Sequence, residues 1–447
     1  SPASAALGRF AHCYAGLAAR AFGPCSANAV LARYRRPIDL CARELRWNSR
    51  NSTLGPMARI YLDHNATTPL RPQALEAMLP VLRDQFGNPS SIHWAGADAR
   101  DAIAAARSEV AALIGVSPDC VVFTSSATEA NSTILSSAAL RAPAHGEEVV
   151  TCATEHPSVL ETCDELRERG LRITVLPVEA DGRLDPDRFA ASLSERTLLA
   201  SIMWVNNETG VIQPIPELAR RAQAQGVAFH TDAVQAMGKL PLALAELRID
   251  FASFSAHKLG GPKGIGAIYV REGLRFTPLM RGGPQERRRR AGTENVAGMV
   301  GFGAACSAAA SDLGARAQRL GALRDRLWQG ISAKIVGAHV NGSPEQRVPH
   351  TLSVSFEDAD GEGLVMALDV EGIAVASGAA CASGSTEPSH VLLAMGIRPE
   401  LAGGAIRFSL GFDTRSEQID HVLDVLPAIV ERVRAEGRAY TNGVTRR

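Results

Sequence analysis

Ile249-Asp250-Phe251-Ala252-Ser253-Phe254-Ser255-Ala256-His257-Lys258-Leu259-Gly260-Gly261-Pro262-Lys263-Gly264 is the stretch on which the reading turns. It opens as a short apolar strand, Ile249 to Ser253, and closes as a glycine-rich turn with His257 and Lys258 between. A compact turn at a strand end can fix one amine against a ligand. Lysine can join a carbonyl compound as a Schiff base. Ser255 and His257 add short polar groups able to hold an anion beside it. Alone, Lys258 reads as a solvated surface lysine, so the surrounding chain has to supply its site.

Working outward, strands and helices alternate. Glu148 to Cys152, Arg172 to Pro177, Leu198 to Val205 and Ala228 to His230 read as strands. Ser158 to Arg169, Asp185 to Ser192 and Ile215 to Gln225 read as the helices between them. Short apolar strands separated by such helices predict an α/β fold: a mostly parallel sheet covered on both faces. Gly264 to Val270 adds a strand. Val121 to Thr124 is another, followed by Ser125-Ser126-Ala127-Thr128-Glu129, a polar helix opening of the kind that binds phosphate. Many helices begin with Ser or Thr, so that signal is weak by itself. Pro72 to Arg83 and Ala97 to Ile114 read as helices, opened by Pro72 and ended by Gly115. A long helix is expected from Val296 through Gln329, broken near Ser311.

Near Gly330 the texture changes. Ala333 to Val336, Thr351 to Phe356, Ile373 to Val375 and Ile406 to Leu410 read as strands. Gly361 to Asp369, Pro388 to Met395 and Ser416 to Arg434 read as helices. This predicts a smaller α+β domain. The expected division is an N-terminal extension over 1–56, a segment over 57–74 packing with the small domain, a large domain over 75–315, the small domain over 316–434 and a polar, frayed tail over 435–447.

The chain has 447 residues, 46% of them hydrophobic, with 47 Lys+Arg balancing 47 Asp+Glu. That balance gives no general pull toward nucleic acid or anionic membrane. Only Arg287-Arg288-Arg289-Arg290 is locally basic. No stretch approaches about 18 strongly apolar residues, so no membrane span is expected. Eight cysteines lie far apart with no Cys-x-x-Cys pair. A reducing compartment follows, with most cysteines acting as small buried hydrophobes. Residues 1–56 are rich in Ala, Arg and Ser, with Asp39 and Glu44 the only acids. They read first as a stretch upstream of a true start near Met57, otherwise as a transit-like segment or a disordered extension.

Polar residues gather after the strands. His156 follows the first of the alternating strands and precedes Pro157. Asn206-Asn207-Glu208-Thr209-Gly210 follows Val205, Asp232 and Gln235 follow His230, and Lys258 follows the next strand. In an open α/β sheet these ends meet over one ligand site. The set suits pyridoxal 5'-phosphate, which needs an amine, an acid facing its ring nitrogen and an anion cradle. Asp232 would keep the ring nitrogen protonated. His156 would stack on the ring, Asn207 and Gln235 would bond its phenolic oxygen, and Thr128, Ser255 and His257 would hold its phosphate. Singly, Asp232 also reads as a helix cap, Asn207 as a turn residue and His156 as a structural histidine.

A second cluster is Ser377-Gly378-Ala379-Ala380-Cys381-Ala382-Ser383-Gly384-Ser385. No bulky neighbour is present to bury Cys381, which suits a nucleophile that travels. No second ligand lies near it for a metal site. Arg407 could fork onto a carboxylate or serve as a salt bridge between domains.

Together these residues resemble the cysteine desulfurase family, a class-V branch of the fold-type I aminotransferase-like enzymes. The resemblance runs from about Arg59 to Arg434. It rests on Tyr61 to Thr68, Gly87 to Ser91, Thr154-Glu155-His156, Asn206 to Gly210, Phe229 to Gln235, Ser255 to Lys258, Arg290 to Asn295 and the Cys381 loop. It implies the pyridoxal-phosphate transferase fold of type I, with a mostly parallel seven-stranded sheet in the large domain. It also implies a cytoplasmic homodimer, or an organellar one if residues 1–56 are a transit segment.

In that family's chemistry L-cysteine is bound through Arg407 and Asn65, and Lys258 removes its α-proton. His156 shuttles a proton, and the Cys381 thiolate takes the sulfur, leaving L-alanine. Ala127 and Thr128 would hold phosphate with Ser255 and His257, and Thr293 would reach the neighbouring subunit's cofactor. The sulfur would pass to an iron–sulfur scaffold or other acceptor, and Cys381 could contact a transferred cluster. The Cys381 loop and Arg290 to Asn295 are most like the subgroup serving nitrogenase, with the housekeeping enzymes close beside it. The rivals are a selenocysteine lyase, a cysteine-sulfinate desulfinase and a non-catalytic scaffold. Four departures stand out: Ser126 for a usual glycine, Ser132 for asparagine, Gly260 for tyrosine, and no arginine in Gly411 to Thr414. Ser126 is expected to crowd the phosphate turn if the backbone there needs the space or a positive φ.

Overall fold

The chain enters through β1 (Ile60–Tyr61) and then builds one seven-stranded sheet from β2 (Val121–Thr124), β3 (Glu148–Cys152), β4 (Arg172–Leu176), β5 (Thr197–Ser201), β6 (Ala228–Asp232), β7 (Phe251–Ser255) and β8 (Gly266–Val270). The strand order is β2-β8-β7-β6-β5-β3-β4. Only β8 runs antiparallel to its neighbours, β2 and β7. In this computed structural model residues 59–140, 147–378 and 388–444 are described. The Cys381 loop and the expected extension over 1–56 lie outside them.

The pleat sorts alternate residues to two cores. Val121, Phe123, Val150, Ala252 and Phe254 join one, with α2 (Trp94–Ile114), α6 (Ile215–Ala224) and α7 (Val296–Ser311) supplying Val110, Leu218 and Phe302. Val122, Val149, Phe251 and Ile268 join the other, against Ile134 and Val159 of α3 (Ala127–Leu140) and α4 (Pro157–Glu168). Both faces are therefore dry, as a parallel sheet requires. The remaining helices of this part are α1 (Pro72–Arg83) and α5 (Pro186–Ser192).

A kink of 73° at Asp312 divides α7 from α8 (Leu313–Lys334). Arg316 closes this corner: Nη2 donates to Ala309 O at 2.9 Å and Gly238 O at 2.8 Å. Leu320, Leu323, Leu327 and Ile331 then form an apolar stripe on a further core. That core holds an antiparallel sheet of order β12-β13-β10-β9, from β9 (Ala338–Val340), β10 (Thr351–Phe356), β12 (Ala376–Ser377) and β13 (Ala405–Ser409). The helices here are α9 (Gly361–Val370), α10 (His390–Ala394), α11 (Pro399–Gly403) and α12 (Ser416–Val444). β1 pairs in parallel with β11 (Ile373–Ala374), so the N-terminal strand belongs to this second layer.

Three expectations need correction. Ala333 to Val336 is not a strand: α8 continues to Lys334 because its stripe extends to Ile331, and β9 starts at Ala338. β5 ends at Ser201 rather than Val205. The frayed tail is instead helical as far as Val444, in one piece with α12.

Four buried free cysteines, Cys120, Cys152, Cys163 and Cys306, behave as the small hydrophobes expected. Burial pushes the Cys152 and Cys163 thiols up to about 12. Cys13, Cys25, Cys41 and Cys381 fall outside the described residues. Among the described residues no single helix is long and apolar enough to cross a membrane.

Candidate active site

Lys258 ends a single helical turn that follows β7. Its Nζ donates to Asn65 O at 2.6 Å and Ala66 O at 2.8 Å. The turn after β1 is fastened over it, since Thr68 N and Oγ1 both donate to His257 O, at 2.9 and 2.8 Å. His257 Nδ1 lies 3.1 Å from Thr67 Oγ1. Burial and the neighbouring Lys258, Lys263 and Lys239 push the His257 imidazole down to about 4.

Asp232 is the last residue of β6 and is buried, so it is a strand-end carboxylate and not a helix cap. Its Oδ1 accepts from Val234 N at 3.0 Å and its Oδ2 from Asn131 Nδ2 at 2.8 Å. The same amide donates to Ser158 Oγ at 2.9 Å, and Ser158 Oγ lies 2.9 Å from His156 Nδ1. A continuous network thus joins the expected acid to the expected histidine. His156 caps α4 by accepting from Ser158 N at 3.1 Å, which fixes its ring. Burial lowers its pKa, Asp232 opposes this, and Lys258 and His390 lower it further. Asn131 is absent from the sequence reading. The available signal was a polar residue on the apolar, buried side of α3.

Gln235 Nε2 donates to Asn65 O at 3.0 Å, and its Oε1 accepts from Lys239 Nζ. The Asn206 side chain shapes the loop after β5: Oδ1 accepts from Glu208 N at 3.0 Å and Thr209 N at 2.9 Å. The Asn207 carbonyl accepts from Asn65 Nδ2 at 3.0 Å and Arg407 Nη1 at 3.1 Å. Arg407 reaches this place from β13, 2% exposed, with Nη2 ion-paired to Asp63 Oδ1 at 2.6 Å. Its Nε has no partner among the described residues. Glu208, present in the sequence reading only as a member of its motif and given no role there, accepts from Ser389 Oγ, and burial raises its pKa against Ser389, His390 and Arg407.

At the start of α3 one of the two conditions set for Ser126 does not arise. Ser126 has no positive φ; its Oγ caps the helix by accepting from Glu129 N at 3.1 Å. Glu129 reaches back to Ser125 N at 2.8 Å, completing a reciprocal cap. Ala127 and Thr128 form the first turn, where an anion is favoured. Ser132 is a helix contact, 3.1 Å from Thr162 Oγ1. Ser255 is buried at the end of β7.

Thr293 stands apart from the Lys258 group. With Ser125, Gly264 and Arg290 it lines a separate cleft of about 160 Å³. Arg290 joins this cleft to the helix cap by its 2.9 Å ion pair with Glu129. In the basic run before it, Arg287 pairs with the Asp119 carboxylate and Arg289 donates to the Asp119 main-chain O. Glu286, Arg287 and Arg288 hold left-handed φ of 47°, 57° and 63°. Such backbone costs about 1–2 kcal/mol per residue. Glu286 holds it in place, buried against Arg107 through bonds of 2.7 and 2.6 Å and accepting from Phe123 N.

The donor set fits pyridoxal phosphate. It offers one amine, a carboxylate fixed for a ring N–H, an enclosed imidazole, a side-chain amide and a capped helix start. The buried, unpartnered Arg407 Nε suits an amino-acid carboxylate. Among the described residues no group of three metal-binding side chains occurs.

The sequence profile named aminotransferase class-V matches residues 60–422, and the chain belongs to that family. Its relatives narrow the class. A protein of Cereibacter sphaeroides named cysteine desulfurase is 51% identical over 381 residues, 85% of this chain and 97% of its own. One from Dictyoglomus turgidum named cysteine desulfurase IscS is 45% identical over 84% of this chain and 95% of its own. A solved structure described as a NifS-like protein superposes with TM-score 0.79 at 38% identity, over 84% of this chain and 100% of that one. Another, a NifS-like protein from Rickettsia africae, gives 0.75 at 30% identity, over 84% of this chain and 100% of that one.

Proposed function

We propose that this chain is a pyridoxal-phosphate-dependent cysteine desulfurase that takes sulfur from L-cysteine, releases L-alanine and carries the sulfur as a persulfide on Cys381. The observation that carries the reading is the bonded network from Asp232 through Asn131 and Ser158 to His156, set beside Lys258. Pyridoxal phosphate, when bound, supplies the electron sink for the pair left as the Cα–H bond breaks. Asp232, held by two donors, keeps the ring-nitrogen proton in place. Gln235 and Asn207 orient the phenolic oxygen. Ala127, Thr128, Ser255 and His257 hold the phosphate, and Thr293 serves the phosphate of a second subunit.

Arg407 takes the substrate carboxylate, with Asn65 beside it, by exchanging part of its pairing with Asp63. Lys258 Nζ accepts the Cα proton. His156, whose pKa burial lowers, would relay a second proton. The Cys381 thiolate attacks the substrate sulfur: an S–S bond forms, the C–S bond breaks, Cβ gains a proton, and Lys258 Nζ returns a proton to Cα, which completes alanine.

A homodimer is the working form in this reading. Leu75, Leu79 and Leu82 project from α1, and Ile92 and Trp94 beside it are 99% and 70% exposed. Several large apolar side chains exposed in neighbouring stretches of sequence support a subunit interface. The persulfide passes to an iron–sulfur scaffold or a similar acceptor, with nitrogenase assembly the narrower case. The four buried free thiols support a reducing, cytoplasmic setting.

Purified full-length protein given L-cysteine should release alanine and, with a thiol present, sulfide. The C381A variant should stop both. Full activity in C381A would move the reading to a selenocysteine lyase or sulfinate desulfinase. A wild-type protein without a visible cofactor band would move it to a scaffold.

A further inference from the structure

We propose that a pocket behind Lys258 is a binding site for one small inorganic anion of halide size. The pocket measures about 50 Å³, and its polar wall consists of Arg71, Lys239, Lys258, Arg316, His64 and His350. The rest of its lining is Leu, Pro, Phe and small residues apart from Thr68, and no carboxylate lines it. Arg71 is 8% and Arg316 7% exposed, so their charges are withdrawn from bulk water. Burying like charges together is costly unless a counter-charge joins them.

The nearby acids meet that need only in part. Asp312 pairs with Arg316, while Asp413, 60% exposed, lies 3.7 Å from His64 Nε2 and acts on Arg71 from there, and no acid is among the groups acting on Lys239. His64 is 3% exposed, and neither ring nitrogen has a hydrogen-bond partner among the described residues. Asp413 and the Tyr61 backbone act on this ring against its burial, a weak set for a buried imidazole in the wall of a cationic pocket, and so a second sign of room for a ligand. Burial, then Lys258, Arg407 and Arg316, push the Lys239 ammonium well below its ordinary range. An anion would reverse that pressure. Lys239 would then stay charged while donating to Gln235 Oε1, and Gln235 would stay oriented toward Asn65.

Size selects the ligand class. One water needs about 10–15 Å³ of such space, so the pocket holds a few waters or one halide, and not a phosphorylated cofactor. Lys258 is the only residue it shares with the groups assigned to cofactor and substrate. The backbone opens it deliberately. Gly260 has φ +93°, and a Cβ there would stand 2.4 Å from Arg71 Cγ. Arg71 can occupy the wall, its guanidinium 4.5 Å from the centre of the Phe412 ring, only because position 260 has no side chain. Arg71 thus brings a cation to the segment that lacks the family's usual arginine.

The test uses full-length protein as purified, with chloride, gluconate and sulfate compared at equal ionic strength. Chloride should raise Tm over gluconate by about 1–3 °C. It should also show excess chloride NMR linewidth on the protein. Both effects should vanish in Lys239→Met and persist in Lys239→Arg. If Lys239→Met does not fold, Arg71→Met replaces it with the same expectation. An equal chloride response in wild type and the methionine variant would overturn the site, as would sulfate matching chloride in both. Neither readout uses turnover, so the result stands or falls independently of the desulfurase reading.

Discussion

On one side of Lys258, Asp232 takes two donors, Asn131 bridges onward to Ser158, and His156 ends the line as a helix cap. On the other side Arg71, Lys239 and Arg316 converge, and no carboxylate among the described residues lines their pocket, although Asp312 pairs with Arg316 and Asp413 stands 3.7 Å from His64. The first side is a closed set of acid, amide, hydroxyl and imidazole. The second is a concentration of one sign. Lys258 belongs to both: its charge acts on His156 on the first side and on Lys239 on the second.

The sharpest way to break the comparison is at its centre. Lys258→Ala should lower alanine formation by about 10³-fold or more, since it removes both the attachment point and the proton acceptor. Borohydride treatment followed by peptide mapping should find cofactor fixed on Lys258 in wild type and nowhere in the variant. Cofactor attached at another lysine would end the scheme. Asp232→Asn comes next, with an expected fall of about 10²-fold, because it keeps the volume and discards the charge. If the two sides are unequal as argued, Lys239→Met should cost less than Asp232→Asn in the same assay. The reverse order would mean that the cationic side carries the chemistry.

The histidines sharpen the comparison through stability. Burial alone pushes His230 down to about 3, and it is fully enclosed between Ser201 Oγ at 2.8 Å and Ser253 Oγ at 2.9 Å. His64 is pushed down to about 4, mainly by burial. These groups stay neutral when folded but take protons near pH 6.5 when unfolded. Their contribution is therefore complete above about pH 6.5 and is lost as pH falls toward the folded values. At pH 5 His230 alone should remove about 2 kcal/mol relative to pH 7. Urea midpoints at the two pH values should show the drop, and His230→Gln should flatten it. An unchanged slope in that variant would place the acid sensitivity elsewhere.

The closed side was largely legible in the sequence, and the cationic side was not. Lys258, Asp232 and His156 each stand just at or after a strand, so the strand pattern alone sends them to one edge of the sheet. Asn131 escaped because its role depends on which face of α3 meets β6, which no spacing reveals. Arg71, Lys239 and Arg316 come from three distant segments that meet only after α8 turns at Asp312. Ser126 shows a role that the sequence did not announce. Its φ stays out of the left-handed region, and its hydroxyl accepts from Glu129 N as a helix cap. The strain lies at Glu286 to Arg288, where a run of charged residues gave no hint of it. The helix α12 also outran its expected end, since a polar sequence can continue a helix once its apolar face has been anchored further back.

The smallest expected effect tests whether Gly260 and Arg71 are one feature. Gly260→Ala faces two separate costs: the left-handed φ of +93° and the 2.4 Å approach to Arg71 Cγ. The first is about 1–2 kcal/mol and belongs to the backbone. The second belongs to the pair and disappears if Arg71 is cut back. In the Arg71→Ala background the same glycine substitution should therefore cost less, by about 0.5–1.5 kcal/mol, in a double-mutant cycle read by urea unfolding. Additive losses would mean that Arg71 yields freely and that the pocket wall is soft. A coupling of the expected sign would mean that position 260 lacks a side chain in order to admit the guanidinium, so that this chain's departure from the family at Gly260 and the cation over Phe412 have a single cause.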